Sequence, residues 1–264
     1  MKGRVRLLCG AGLLGLVALA AAFAGVIAPE GPWALTGIPL SPPSLEAPLG
    51  TDSLGRDVLA GIAYGARATL VVGVAASLFA LLSGTMVGAC AGVLGGVAER
   101  VLMQAAELFQ LLPAFLLAVT LVAVFHPSLP VLAGAIAVVS WAPVARLVRA
   151  EILSLRARPF VQASVAIGRT PLGIMLRHIL PNVVPVLAGY ASVLVANAIL
   201  LEAGVSFLGL GDPNVMSWGY MVGASRSIAR IAWWTAVFPG LAILLTVLGV
   251  HLLAGGLRGA RDRP

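Results

Sequence analysis

Charged side chains are scarce in this chain of 264 residues: they make up 10% of it, whereas hydrophobic residues make up 60%. A soluble domain carries about 25% charged residues. No soluble core could hide this much apolar surface, so lipid must surround most of the chain. The ten-residue alternation that marks a membrane barrel is also missing. Because backbone groups in hydrocarbon must be hydrogen-bonded internally, the composition predicts an all-helical membrane protein.

Sequence motifs for chemistry are lacking as well. Cys9 and Cys90 lie in apolar runs, which predicts two small buried hydrophobic residues and neither a disulfide nor a metal pair. His126, His178 and His251 fall in separate regions without a metal-binding spacing. A phosphate loop of the Gly-x-x-x-x-Gly-Lys type does not occur. We therefore expect no catalytic residue, metal site or cofactor in this chain, and no ATP hydrolysis by it alone.

Long uncharged stretches dominate the rest of the sequence. A helix needs about 20 residues to cross the roughly 30 Å of hydrocarbon in a bilayer. The stretch between Glu107 and Arg146 is too long for one helix and is interrupted by Pro127 and Pro130, so it predicts a helical hairpin. The sequence predicts six spans, at about 7–28, 69–97, 101–125, 130–148, 183–205 and 233–254.

The first apolar run has two interpretations, because basic residues precede it and Ala22-Phe23-Ala24 resembles a signal-peptidase site. A cleaved signal has an apolar core of about 7–15 residues, whereas this run has about 22. We therefore predict that it is retained as a span.

The basic residues are distributed unevenly among the predicted connections. With both termini in the cytoplasm, 13 of them lie on the cytoplasmic side. Four lie on the outer side: Arg56, Arg67, Arg226 and Arg230. This bias follows the positive-inside rule and accounts for the net charge of +7 without a nucleic acid partner. The predicted organisation is an N-terminal span and periplasmic segment over 1–68, a five-helix core over 69–254 with a cytoplasmic loop at 149–182, and a cytoplasmic tail over 255–264.

The cytoplasmic loop contains a bent helical element. Residues 160–167 have no helix breaker and predict a short helix, which Gly168 then ends because glycine readily adopts left-handed angles. Thr170 suits the cap of a second short helix, with Pro171 in its first turn. We call this helix–glycine–helix unit the elbow (residues 160–172). A stiff, protruding element with a fixed bend is suited to docking a partner.

The elbow resembles the EAA motif of ABC-importer permeases. Residues 162–164 stand in the place of Glu-Ala-Ala, Gly168 is the glycine, and Leu180-Pro181 closes the motif. The departures, Gln162 and Ser164, weaken a specific salt bridge to an ATPase but leave the bend intact. The resemblance implies contact with an ATPase through Phe160, Val161, Gln162, Ala163, Ser164, Gly168, Arg169, Thr170 and Pro171. Arg156, Arg158 and Arg169 would meet either acidic ATPase patches or lipid phosphates.

Two more stretches, 48–59 and 202–219, resemble signatures of the second, C-type permease of the dipeptide/oligopeptide/nickel group. The resemblance runs from about Pro48 to the C-terminus. It implies an all-α type I importer permease with a MetI-like fold in the bacterial inner membrane. Such a chain forms half of a pathway for di- or oligopeptides, with nickel or another metal or metallophore as the alternative.

The same resemblance implies four kinds of partner. They are a second homologous permease, two ABC ATPase subunits that bind ATP and Mg, a periplasmic or lipid-anchored substrate-binding protein, and membrane lipid. A channel or secondary transporter would not need the elbow. A membrane-embedded enzyme would need clustered reactive side chains, which two scattered glutamates do not supply.

Those glutamates, Glu107 and Glu202, lie within or at the edge of predicted spans. Since charge in hydrocarbon is costly, each is a candidate for the pathway or its gate, with a structural role as the alternative.

The outer motif consists of Gly50, Thr51, Asp52, Gly55, Arg56 and Asp57. The four-residue spacing of Asp52 and Arg56 would allow an ion pair on one helix face, in a helix capped by Asp52 or Ser53. This segment either contacts the binding protein or substrate or is a surface helix.

Two other patterns concern the helices themselves. Gly92 and Gly96 form a Gly-x-x-x-Gly pattern that permits close helix contact. The five tryptophans mostly fall at span ends, as interfacial anchors do.

Overall fold

The computed structural model describes residues 2–261, apart from the side chains of residues 2, 171 and 257–261. Over that range the chain is helical, and its β-structure amounts to two isolated bridges. This confirms the predicted fold class. The helices are α1 (Lys2–Ala22), α2 (Ala24–Ile27), α3 (Val58–Leu94), α4 (Gly96–Leu111), α5 (Ala114–Phe125), α6 (Leu129–Arg156), α7 (Pro159–Ala166), α8 (Pro171–Ile174), α9 (Leu180–Val205), α10 (Trp218–Ala224) and α11 (Trp234–Arg261), with π-helical turns at Met175–Ile179 and Ser206–Leu210 on either side of α9.

Five stretches are long and apolar enough to cross a membrane, and a bent pair of helices supplies a sixth. The five are Gly3–Ala22, Val58–Leu94, Leu129–Arg156, Leu172–Leu210 and Trp234–Gly256. The number agrees with the predicted six spans.

The third predicted span, 101–125, is not one straight helix. α4 and α5 meet at Pro113 with a bend of 87°. The proline ring disfavours helical angles at the residue before it, and Leu112 is accordingly extended, with ψ at 132°. The lack of charge between Glu107 and Arg146 does not reveal this break, because proline and not charge produces it.

Helix ends differ from the predicted span ends because charge marks the edge of hydrocarbon, not the end of a helix. α3 begins at Val58, not at 69, because the carboxylate of Asp57 accepts hydrogen bonds from the amides of Leu59 (2.9 Å) and Ala60 (3.4 Å). The predicted boundary at 68 therefore falls inside α3, with Arg67 on the helix. α6 extends to Arg156 and so covers the first part of the predicted cytoplasmic loop, residues 149–156. Of the predicted tail, residues 262–264 lie outside the described residues.

A glycine stripe joins α3 and α6 in parallel. Three glycines of α3 face three β-branched residues of α6 at the same four-residue spacing: Gly84 meets Val144, Gly88 meets Val148 and Gly92 meets Ile152. A Cβ on Gly88 would lie 2.8 Å from the Cβ of Val148, so the two backbones approach as closely as small residues permit. Gly96 does not contribute, because it is the first residue of α4, with φ at +57° and open space around it. α3 and α6 therefore form one tightly packed pair.

The free cysteines Cys9 and Cys90 are both exposed on the surfaces of α1 and α3. The prediction that they are buried is wrong. An apolar run shows that a helix is surrounded by lipid or protein, but it does not show which of its faces is turned inward.

The bundle has two distinct ends. At one, the guanidinium of Arg156 donates a 2.8 Å hydrogen bond to the carbonyl of Gly92, which ties the last turn of α6 to that of α3 next to the elbow. At the other lies the cap, defined here as residues 29–57 and 211–233. There the indole of Trp234 donates to the carbonyl of Thr51 (3.0 Å), and the carboxylate of Asp212 accepts from the amide of Leu129 (3.1 Å).

Candidate functional sites in the elbow, the groove and the cap

The elbow has the predicted bend, and its backbone shows how the bend is held. Two hydrogen bonds end α7. The amide of Gly168 donates to the carbonyl of Val165 (2.9 Å), and the amide of Arg169 donates to the carbonyl of Ser164 (3.2 Å). This pair of bonds is a Schellman motif, which requires a left-handed residue, and Gly168 has φ at +79°. The hydroxyl of Thr170 then accepts from the amide of Gly173 (3.2 Å) and caps α8. Pro171 begins that helix, and its side chain lies outside the described residues.

One side of the elbow is anchored and the other is exposed. Val161 and Ser164 are buried against residues of α6 and of the segment leading into α9. Phe160, Gln162, Ala163, Arg169 and Thr170 are exposed. The exposed face also carries Val165 and Ile167, which are 60% and 72% exposed. Exposed apolar residues on a rigid protrusion are typical of a protein contact surface.

The arginines around the elbow are not equivalent. Arg156 is bonded to α3, as described above, so its guanidinium is partly occupied within the chain. Arg169 lies with its Nη1 atom 3.2 Å from Nε2 of His178. Arg158 precedes α7 and is exposed. Arg158 is therefore the arginine that is most available to a partner or a lipid.

Glu202 is sealed inside the bundle near its cap end. Its carboxyl group accepts hydrogen bonds from the hydroxyls of Thr69 on α3 (3.2 Å) and Ser206 (2.7 Å), and the residue is 1% exposed. α10 covers it closely, because a Cβ on Gly219 would lie 2.6 Å from the Cα of Ala203. Since nothing the size of a substrate can reach this carboxyl in the described structure, the geometry favours a structural role at the cap end of α9.

A groove of about 400 Å³ runs between α6 and α9 near the start of α5. Three of its side chains are polar and uncharged, namely Ser140, Tyr190 and Asn197, and none has a hydrogen-bond partner among the described residues. The remaining lining residues are Ala114, Val139, Pro143, Leu194, Leu200 and Leu201. We call this surface the groove. The sequence analysis did not predict this surface.

Residues 84–263 match the protein family described as the binding-protein-dependent transport system inner membrane component. The chain belongs to this family. It is 40% identical over 224 residues to the dipeptide transport system permease protein DppC of Alkalihalophilus pseudofirmus, with 84% of this chain and 74% of the relative covered. It is 38% identical over 255 residues to the di/tripeptide transport system permease protein DppC of Pseudomonas aeruginosa, with 94% and 84% covered.

A solved chain from inward-facing MetNI, a methionine ABC transporter, has a TM-score of 0.61 to this permease. The two are 20% identical, and the likeness covers 76% of the permease and 95% of the solved chain. At this identity the likeness concerns the fold, and it confirms the expected type I importer permease fold. The family expectation is also confirmed: the chain is a multi-pass inner-membrane permease that works with ATPase and substrate-binding components.

Glu107 of the permease lies on an exposed face of α4 with Arg100 and Gln104. Among the described residues it has no hydrogen-bond or ion-pair partner. Its helix is nevertheless held to α6, because Glu99 pairs with Arg149 through a 2.6 Å hydrogen bond. Glu107 is therefore the accessible one of the two candidate glutamates, and Glu202 is the inaccessible one.

The outer motif forms a turn, not a helix. The carboxylate of Asp52 accepts hydrogen bonds from the amides of Leu54 (2.8 Å) and Arg56 (2.9 Å). Gly50 and Gly55, with φ at +77° and +81°, supply the left-handed positions on either side. The prediction that Asp52 and Arg56 form an ion pair on a helix capped by Asp52 or Ser53 is therefore wrong. The helix begins later, and its cap is Asp57.

Other residues of the cap hold this turn in place. The hydroxyl of Thr51 donates to the carbonyl of Ile38 (2.6 Å) and accepts from the amide of Ser41 (2.8 Å). The guanidinium of Arg56 lies 4.7 Å from the ring centre of Trp33, a cation–π contact.

The indole of Trp218 is 1% exposed and donates to the carbonyl of Ile62 (2.9 Å). For Trp218 the prediction of an interfacial anchor is wrong, because its polar edge is bonded inside the protein.

Proposed function

We propose that this permease forms half of the translocation pathway of an ATP-driven importer for di- and oligopeptides. A second, homologous permease supplies the other half. The substrate assignment is supported by the relatives named above, which are permeases of dipeptide and di/tripeptide systems. Both termini lie in the cytoplasm, in keeping with the uneven distribution of basic residues. These relatives favour peptides over the alternative of nickel or a metallophore.

The elbow is the docking site for an ATPase subunit. The importer has two ATPase subunits, and each permease docks one of them. The observation that carries this proposal is the exposed apolar face of Val165 and Ile167 on a bend fixed by Gly168. ATP and Mg bind to those subunits, and this chain contributes no catalytic residue. At the opposite end of the bundle, the cap receives the substrate-binding protein.

The span Leu172–Leu210 transmits movement of the elbow to the cap. The span Leu172–Leu210 has 39 residues, which corresponds to about 58 Å at 1.5 Å per residue. It begins in the elbow and ends beneath α10. ATP-driven closure of the ATPases displaces the elbow, and the bundle switches access between the two membrane faces because each state binds a different partner set.

The test replaces Gly168 in a reconstituted assembly that also contains the second permease, the ATPases and the binding protein. Gly168→Val forces a β-branched residue to φ near +79°, which is strained. We expect the variant to insert into the membrane, to lose most ATPase subunits on co-purification, and to lose transport.

Gly12→Val is the matched control, because Gly12 lies in α1 with open space around its Cβ position. It should retain both the ATPases and transport. If Gly168→Val also retained both, the elbow would not be the docking site.

A further inference from the structure

The groove carries polar groups whose hydrogen bonds are not made within the described chain. Asn197 is exposed in the middle of α9, and Tyr190 lies seven residues earlier on the same helix face. Ser140 faces them from α6. In hydrocarbon such unpaired groups are unfavourable, so this face must be turned to water, to substrate or to another protein.

Pro143 adds a fourth group, an acceptor, to the same surface. A proline inside a helix has no N–H to donate to the carbonyl four residues earlier, and Pro143 is inside α6. The carbonyl of Val139 therefore lacks its usual helical donor. Both residues line the groove beside Ser140.

The spacing of these groups suits an extended peptide. Seven residues of helix separate Tyr190 from Asn197, which is about 10 Å along the axis. An extended chain rises about 3.3 Å per residue, so the same distance spans about three of its residues. The side chains of asparagine, tyrosine and serine both donate and accept hydrogen bonds, as do the N–H and C=O groups of a peptide backbone.

The groove also has no Asp, Glu, Lys or Arg among its lining residues. A site that recognised the charged termini of a peptide would place an opposite charge at each. We propose that the groove is a peptide-backbone site on the wall of the pathway, where Ser140, Tyr190, Asn197 and the Val139 carbonyl hydrogen-bond the amides of a passing peptide whatever its side chains. This inference rests on the proposed peptide-import function and adds the site and the way in which the peptide is recognised.

The test measures the uptake of three tripeptides, trialanine, trilysine and triglutamate, into proteoliposomes that hold the full assembly and saturating binding protein. The variants are Asn197→Leu and Ser140→Ala. We expect each to slow uptake by about two- to tenfold, the loss that accompanies one missing hydrogen bond. The factor should be similar for the neutral and the charged peptides, and the amounts of co-purified second permease and ATPases should be unchanged.

Two further variants serve as controls. Ser83→Ala removes a hydroxyl from an exposed position on α3, where it is bonded to the carbonyl of Phe79 of its own helix (2.7 Å), and it should transport normally. Asn197→Ser keeps a hydrogen-bonding group in the groove and should lose less uptake than Asn197→Leu.

Three results would overturn the inference. They are normal uptake by Asn197→Leu and Ser140→Ala, a loss confined to peptides of one charge, and a loss of co-purified second permease, which would assign the groove to the contact between the two permeases. Failure of the unaltered assembly to take up any tripeptide would overturn the proposed function itself and this inference with it.

Discussion

The hydroxyl of Thr69 donates a 3.2 Å hydrogen bond to the carboxyl group of Glu202, and this bond joins α3 to α9 directly beneath the cap. Glu202 lies near the cap end of the span Leu172–Leu210, which starts in the elbow, while Thr69 belongs to the packed pair of α3 and α6. The bond therefore connects the element proposed to move with the ATPases to the most tightly packed part of the bundle.

Removing the hydroxyl by Thr69→Val should destabilise the cap end. The carboxyl of Glu202 would stay buried with one partner fewer, which costs about 1–3 kcal/mol. Thermal unfolding of the purified permease complex measures this loss. Thr120→Val is the matched control, because Thr120 is exposed on α5 and its hydroxyl bonds to the carbonyl of Leu116 in its own helix (2.8 Å). Equal melting temperatures for the two variants would contradict the connecting role of the bond.

The glycine stripe predicts a strong response to added volume. Gly88→Val would press a side chain against the Cβ of Val148, 2.8 Å from the new Cβ. Overpacking a close contact costs about 1–3 kcal/mol, and here backbone on both sides limits relaxation. We expect a lower yield of folded protein in membranes and a lower melting temperature than for Gly12→Val, which adds the same atoms in open space. Equal yields from the two variants would show that α3 and α6 are not so closely packed.

The elbow could be predicted from the sequence because local rules determine it. A glycine with a positive φ, a threonine cap and a following proline act within a few residues of one another, and Gly168, Thr170 and Pro171 lie in that order in the chain. The spans could be counted for a similar reason, since the apolar content of a helix is a property of that segment alone.

The groove could not be predicted, because it depends on which helix faces meet. Ser140 and Asn197 are single polar residues in apolar runs, and nothing local distinguishes them from Ser83, whose hydroxyl bonds to its own helix. Charge alone places the start of the second span after Arg67, although this residue lies within α3. A signal was present at that point: Asp57 is a favoured N-cap residue and precedes an apolar run without proline.

The cap predicts an unequal effect of two neighbouring tryptophans. Trp234→Phe removes the hydrogen bond to the carbonyl of Thr51 and should cost about 1 kcal/mol. Residues 29–57 should then be cleaved faster in limited proteolysis of the purified protein. Trp233 is 52% exposed, so Trp233→Phe should leave the cleavage rate unchanged. Identical digestion patterns would mean that the bond does not hold the outer segment.

The proposed orientation predicts opposite labelling of two exposed residues. Leu45 is fully exposed in the cap and Val165 is exposed in the elbow. With Cys9 and Cys90 replaced by serine, Leu45→Cys should react with a membrane-impermeant maleimide in cells whose outer membrane alone has been opened. Val165→Cys should react only after the inner membrane is opened. The reverse pattern would place the elbow outside and would contradict the orientation.

The most direct measurement of the docking role of the elbow is site-specific photo-crosslinking from Ile167, which is 72% exposed. A photoreactive amino acid at this position, in membranes that hold the complete assembly, should crosslink to the ATPase, with a yield that changes between nucleotide-free and ATP-bound states. The same amino acid at Leu45 should crosslink to no ATPase. Crosslinks from Ile167 to lipid alone, or to the substrate-binding protein, would contradict the account.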